Sequence, residues 1–203
     1  MSADRLHMPA CSGIAPGQAA ELVRRLAAVP WLELALDAVA ASGLPEAWIG
    51  AGAIRDVVWG ELHGGFDPAA IHDVDVAYFD PENLGRERDD VAERQLRSLA
   101  DLPWEATNQA TVHTWYHQHF GGPPVAAFGC VHDAVATWPE TATCVAVRKV
   151  GECLDICAPL GLADLLDGVW HRNPARVSIA ESRARLSRHQ VGATWPRVRV
   201  VPP

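Results

Sequence analysis

The chain lacks a CxxC pair, and its five cysteines, at 11, 130, 144, 153 and 157, are an odd number. Neither a disulfide framework nor a zinc ribbon is indicated. Cys153 and Cys157 stand too far apart along an extended strand for an easy mutual disulfide. No stretch approaches 18 uninterrupted apolar residues, which argues against a membrane-spanning helix. The opening residues, MSADRLHMPACSG, contain no apolar secretion core, so the expectation is a reduced, cytoplasmic protein with no membrane partner. Internal repeats and low-complexity tracts are missing as well. So is an excess of basic residues: Lys+Arg is 17 against 25 for Asp+Glu, a net charge of −8. That argues against a protein that coats nucleic acid through an extended basic surface.

What the chain has is the composition of a soluble globular domain, with 49% hydrophobic and 21% charged residues over 203 positions. A chain of this size buries roughly 70% of its unfolded surface and needs no staple. Its charge is uneven. Residues 171–203 hold seven arginines and one acid, Glu181, for +6, which leaves −14 on the first 170 residues. The basic end can dock as a helix on its own acidic body or reach a polyanion.

Apolar spacing predicts amphipathic helices over 17–29 and 31–42, broken at Pro30. Residues 47–50 read as a short buried strand running into a helix over 54–62. The Gly/Pro/Asp-rich stretch 63–71 reads as a loop. Residues 73–79 (DVDVAYF) alternate as a strand and 85–100 read as a charged helix. Another strand is expected near 104–107, with short helices over 111–120 and 131–138 on either side of the GGPP turn at 121–124. Two β-branched runs, 143–147 and 153–157, suit a hairpin. Helices over 162–170 and 178–190 complete a mixed α/β or α+β order.

Asp73-Val74-Asp75 carries the most chemistry. On a strand, residues two apart share a face, so both carboxylates project together while Val74 and Val76 face the core. Two adjacent carboxylates repel unless a cation neutralises them, and hard oxygen ligands suit Mg²⁺ or Mn²⁺. A solvated acidic pair is the plain alternative. Upstream, Gly50-Ala51-Gly52-Ala53-Ile54-Arg55-Asp56 lies at a strand-to-helix turn. There glycine admits close approach of a phosphate, the helix start offers free N–H groups, and Arg55 adds a charged donor. Simple strand–helix packing explains a lone glycine turn equally well.

The two motifs together resemble the polymerase-β-like nucleotidyltransferase superfamily. They are closest to the tRNA CCA-adding type, in which a GGxxRD turn precedes a DxD strand. More closely, WIGAGAIRDVVWGELHG, HDVDVAYFD, NQATVHTWY, TWPETATCVAVR and LDICAPLGLADLLDGVW resemble a group of uncharacterised bacterial nucleotidyltransferase-family proteins. The resemblance covers about residues 45–174. It implies an α+β fold with a small mixed sheet flanked by helices, a nucleotidyltransferase domain over 1–174, and a basic helix and tail over 175–203. It implies Mg²⁺ or Mn²⁺ held by three carboxylates, with Asp73 and Asp75 the first two. Asp155, between Leu154 and Ile156, fits the third, with Glu152 the less fitting substitute and an exposed strand acid the alternative. Gly52 and Ala53 are expected to offer backbone N–H groups to the phosphates of an NTP, and Arg55 to touch phosphate or brace the carboxylates. The acceptor (small molecule, protein or RNA) is not specified, and 203 residues leave little room for a tRNA-binding domain. Ala51 departs from the GG pattern. A non-catalytic nucleotide- or metal-binding module is the rival reading.

Other signals point elsewhere. His113 and His117 share a helical face and, with His119, invite a zinc-hydrolase reading, yet HExxH is missing; structural or surface roles are the alternative. Asn108 and Gln109 fit either a substrate contact or a turn and cap. Trp48, Trp59, Trp115, Trp138 and Trp170 sit in apolar-periodic segments, which favours core packing over base stacking.

Overall fold

Proline in the first helical turn forfeits no intrahelical hydrogen bond. Pro16 and Pro30 use that allowance, opening α1 (Pro16–Leu26) and α2 (Pro30–Ala41). The computed structural model describes residues 14–120 and 124–202. The reading of residues 1–13, Cys11 included, and most of the GGPP turn lie outside them.

β1 (Trp48–Gly50) runs straight into α3 (Ala51–Leu62). β2 (Val74–Tyr78), α4 (Glu87–Leu99) and β3 (Trp104–Asn108) form a βαβ unit with β2 and β3 parallel. Two short helices, α5 (Val112–Phe120) and α6 (Val131–Val135), precede the hairpin of β4 (Ala146–Val150) and β5 (Cys153–Cys157). Among the described residues these five strands make one mixed sheet in the order β3-β2-β1-β4-β5.

Strand alternation gives the sheet two different faces. Ile49, Val76, Val147 and Ile156 lie in one lateral row on the first face. They join the main core with Leu22, Leu32, Leu36, Ile54, Val58 and Leu96 from α1 to α4. On the second face Trp48, Ala77, Ala146 and Cys157 pack beneath Val131 and Val135 of α6. That second cover is small, and part of the second face lines an open cleft.

The chain differs from the sequence reading at its C-terminal end. The helix expected over 162–170 is shortened to α7 (Ala163–Leu166), because Gly168 takes φ +65° and turns the backbone into β6 (Val169–Trp170). The basic segment then forms α8 (Ile179–Arg188), α9 (Val191–Thr194) and β7 (Arg199–Val200). β7 pairs in parallel with β6. Ser178 caps α8, its side-chain oxygen accepting from the Glu181 N–H at 3.2 Å. The expected 143–147 run also shifts: Thr141–Thr143 is a 3-10 turn, and the strand begins at Ala146. Among the described residues no helix is long and apolar enough to cross a membrane.

Candidate functional site

The β1–α3 junction is built by steric exclusion. A Cβ on Gly50 would lie 2.6 Å from the Trp138 ring and 2.9 Å from the Val145 carbonyl, so only glycine fits. Ala51 follows in the left-handed region at φ +51°, its N–H donating to the Val145 carbonyl at 3.2 Å. This bend turns the start of α3 toward the first residues of β2. The Gly52 N–H donates to Asp75 Oδ2 at 3.2 Å.

The space beside Gly52 is where the acidic groups converge. A Cβ placed there would stand 3.5 Å from Asp75 Oδ2, 3.9 Å from Asp73 Oδ1 and 3.7 Å from Arg55 Nη2. Ala53 is buried in the same helical turn. Arg55 is 5% exposed, with Nε 2.6 Å from Asp56 Oδ1. Its guanidinium lies 4.7 Å from the Trp195 ring centroid and within 6 Å of those of Trp59 and Trp170. Three indole faces thus fix the cation from behind.

The parallel pairing of β2 with β3 sets Glu105 directly opposite Asp75. Burial pushes the Asp75 carboxyl up to about 7, and the neighbouring charges of Asp73 and Glu105 push the same way. The Gly52 N–H and Arg55 pull against them. Glu105 is raised as well, by burial and then by Asp73 and Glu93. Like charges crowded at a partly desolvated point are costly to ionise, and a cation removes that cost. Among the described residues no three His, Cys, Asp or Glu side chains are grouped so as to hold a metal ion. Asp73 and Asp75 are the pair here that could hold a hard divalent cation, an ion commonly bound by one or two carboxylates and completed by water and substrate phosphate.

These groups occupy one wall of a cleft of about 460 Å³. Gln109, Trp115 and Tyr116 line the cleft too, as do Arg176, Arg185, Arg188 and His189 from the C-terminal segment. Arg185 is engaged: its Nε and Nη2 lie 2.6 and 3.0 Å from the two oxygens of buried Glu140. Burial, reinforced by Arg55, Arg185 and Arg188, lowers His189 to about 4.

A family profile described as Nucleotidyltransferase matches residues 37–200. The chain belongs to this nucleotidyltransferase family. A protein solved by NMR, whose structure reveals a CCA-adding enzyme head domain, superposes with a TM-score of 0.75 at 26% identity. The match covers 91% of this chain and 96% of that one. No curated protein matches the chain. The family and this neighbour identify the mixed sheet and its helices as a nucleotidyltransferase fold of the polymerase-β-like superfamily, and the chain as a member of a transferase family.

Within this fold Asp155 does not join the other two expected carboxylates. β5 is the sheet edge opposite β3, three strands from β2, or roughly 14 Å at the usual strand spacing. Asp155 is instead paired in register with Arg148, whose Nε and Nη2 both lie 3.0 Å from its Oδ2. The Arg148 guanidinium stacks 4.3 Å from the Trp48 ring centroid. The carboxylate that adjoins Asp75 is Glu105, whose place in the alternation of WEATN was its only sequence signal. The arginines of the cleft were visible only as tail charge.

Asn108 is a structural residue. Its side-chain oxygen accepts from Asp80 N and Ala110 N at 3.0 and 3.1 Å, and its amide donates to the Asp80 and Asn83 carbonyls. His113, His117 and His119 do lie on α5, but they belong to no three-residue metal group among the described residues.

Proposed function

We propose that the protein transfers a nucleoside monophosphate from an NTP to an acceptor hydroxyl and releases pyrophosphate. The observation that carries this reading is the convergence of Asp73 and Asp75 on the Gly52 end of α3, with Glu105 alongside. Asp73 and Asp75 would hold Mg²⁺ or Mn²⁺, with Glu105 as the adjoining third carboxylate. A bound divalent cation supplies charge neutralisation on the triphosphate and lowers the pKa of the acceptor hydroxyl.

The chain's own groups supply the rest. The N–H groups of Gly52 and Ala53, at a helix start, bind phosphate oxygens. Arg55 braces the carboxylates from its indole cage and balances their charge. The acceptor oxygen bonds to the α-phosphorus as the bond from that phosphorus to the bridging oxygen breaks. Pyrophosphate leaves with the electron pair, and the hydroxyl proton passes to Glu105, whose raised pKa suits a base. Such a reaction belongs in the cytoplasm, where NTP and Mg²⁺ are available.

Incubating the protein with Mg²⁺, each of the four NTPs and fractionated lysate tests the reading. Pyrophosphate release and transfer of an α-phosphate label are expected, both lost in Asp75→Asn with folding intact. NTP binding without pyrophosphate release in any fraction would instead assign the chain to the non-catalytic module.

A further inference from the structure

Arg185 is neutralised by Glu140, but Arg176 and Arg188 of the same cleft are not. Arg176 is half-buried, its guanidinium stacked 3.9 Å from the Tyr116 ring centroid and 5.8 Å from that of Phe128. Stacking covers the faces of the guanidinium and leaves its in-plane N–H donors uncovered. Arg188 is exposed on the last turn of α8. Among the described residues neither arginine side chain makes a hydrogen bond or an ion pair, and Glu181 reaches Arg176 only through its field. Desolvating a guanidinium without an acceptor is unfavourable, and burial depresses the Arg176 pKa accordingly. An incoming anion with several oxygens relieves this.

Placement says whose anion it is. Arg176, Arg188 and Tyr116 line the catalytic cleft and also a second groove of about 790 Å³. That groove continues past His119, Phe128, Thr137 and Ser178 and contains none of Gly52, Arg55, Asp73, Asp75 or Glu105. The two arginines therefore stand where the cleft that holds the carboxylates meets a groove free of them, a path open to a second substrate.

We propose that Arg176 and Arg188 form an anion site for the acceptor, so that the acceptor is a phosphate ester carrying its reactive hydroxyl beyond that phosphate. This rests on the nucleotidyl-transfer reading of the same cleft. A phosphorylated small molecule and the end of a nucleic acid both present this chemistry. The acidic body leaves only a short path for the latter.

Calorimetry on the full chain without divalent cation separates the possibilities, with inorganic phosphate and a trinucleotide RNA as probes and thermal melts verifying each variant's fold. Both probes are expected to bind. Arg176→Gln and Arg188→Gln should each weaken them about tenfold, the loss of one charge-assisted contact. Asp75→Asn, which removes a negative charge from the same cleft, should leave that binding equal or tighter. Mg²⁺-dependent NTP binding should change less than about threefold in the arginine variants and disappear in Asp75→Asn. Binding of the trinucleotide tenfold tighter than phosphate, with the same arginine dependence, assigns the ester to a nucleic-acid end; equal binding assigns it to a small molecule. No arginine-dependent binding of either probe overturns the proposal. So does an equal loss of NTP and phosphate binding in Arg188→Gln, which would place the donor's triphosphate there. Retained NTP binding in Asp75→Asn overturns the catalytic reading while leaving the anion site standing.

Discussion

At the scale of single residues, two small side chains at the β1–α3 turn do opposite things. Gly50 is fixed by sterics, since any Cβ collides with the Trp138 ring and the Val145 carbonyl. Ala51, at φ +51°, is the residue under backbone strain: its Cβ makes the left-handed region about 1–2 kcal/mol unfavourable, and glycine removes that penalty. Ala51→Gly gives up some of this gain to unfolded-chain entropy. We expect the variant to be more stable by about 0.5–1 kcal/mol in urea unfolding, and its turn to match the GG pattern of the related enzymes. If the Ala51 methyl also narrows the phosphate path, NTP affinity rises with stability. A variant less stable than the parent would show that Ala51 packing outweighs the strain.

At the scale of elements, alternation and strand order carry different information. Period-two patterning in DVDVAYF and CLDIC places Asp75 and Asp155 on their faces correctly, and both do lie on the second face of the sheet. Which strands are neighbours is decided by long-range pairing that no local pattern records. The order β3-β2-β1-β4-β5 makes Glu105 adjacent to Asp75 and sends Asp155 to the far edge. The Gly50–Asp56 turn and the DxD strand were legible because each is a local device. The C-terminal part of the cleft was not, because α8 reaches the cleft through the buried Arg185–Glu140 pair, 45 residues apart. Asp155 and Glu105 should thus separate cleanly on substitution. Asp155, 2% exposed, supports Arg148, and Asp155→Asn is expected to cost roughly 2–3 kcal/mol in chemical denaturation while the folded fraction keeps its transfer activity. Glu105→Gln should leave the melting temperature near that of the parent and slow transfer about 100-fold. Reversed outcomes would return the third carboxylate to β5.

At the scale of the whole molecule, the −14 body and the +6 end meet across one cleft. Trp195, beyond α8, packs on Arg55, while Arg176, Arg185 and Arg188 line the same cleft as Asp73, Asp75 and Glu105. Burial of His189 and of Asp75 beside this cleft sets a pH dependence with two limbs of opposite sign. His189 is held near 4 in the fold and titrates near 6.5 when unfolded, so the unfolded chain takes up the proton first as pH falls. Its contribution is present above about pH 6.5 and is lost on acidification toward 4. Asp75 is held near 7 in the fold against an unfolded value near 3.9, so the folded chain keeps the extra proton across that interval. Its contribution is complete below about pH 4 and is lost as pH rises through 7, by as much as about 4 kcal/mol without a divalent cation. The limbs partly cancel between about pH 4 and 6.5, and above that only the Asp75 loss remains. A cation at Asp73 and Asp75 competes with the Asp75 proton, so Mg²⁺ should raise the melting temperature little near pH 5 and most near pH 8. Asp75→Asn should abolish both the Mg²⁺ effect and the decline near neutrality while keeping the acid limb. His189→Gln should do the converse. Thermal melts of the parent and both variants across this range, with and without Mg²⁺, measure all four responses. A Mg²⁺ shift that is the same near pH 5 and pH 8 would place the cation away from Asp75.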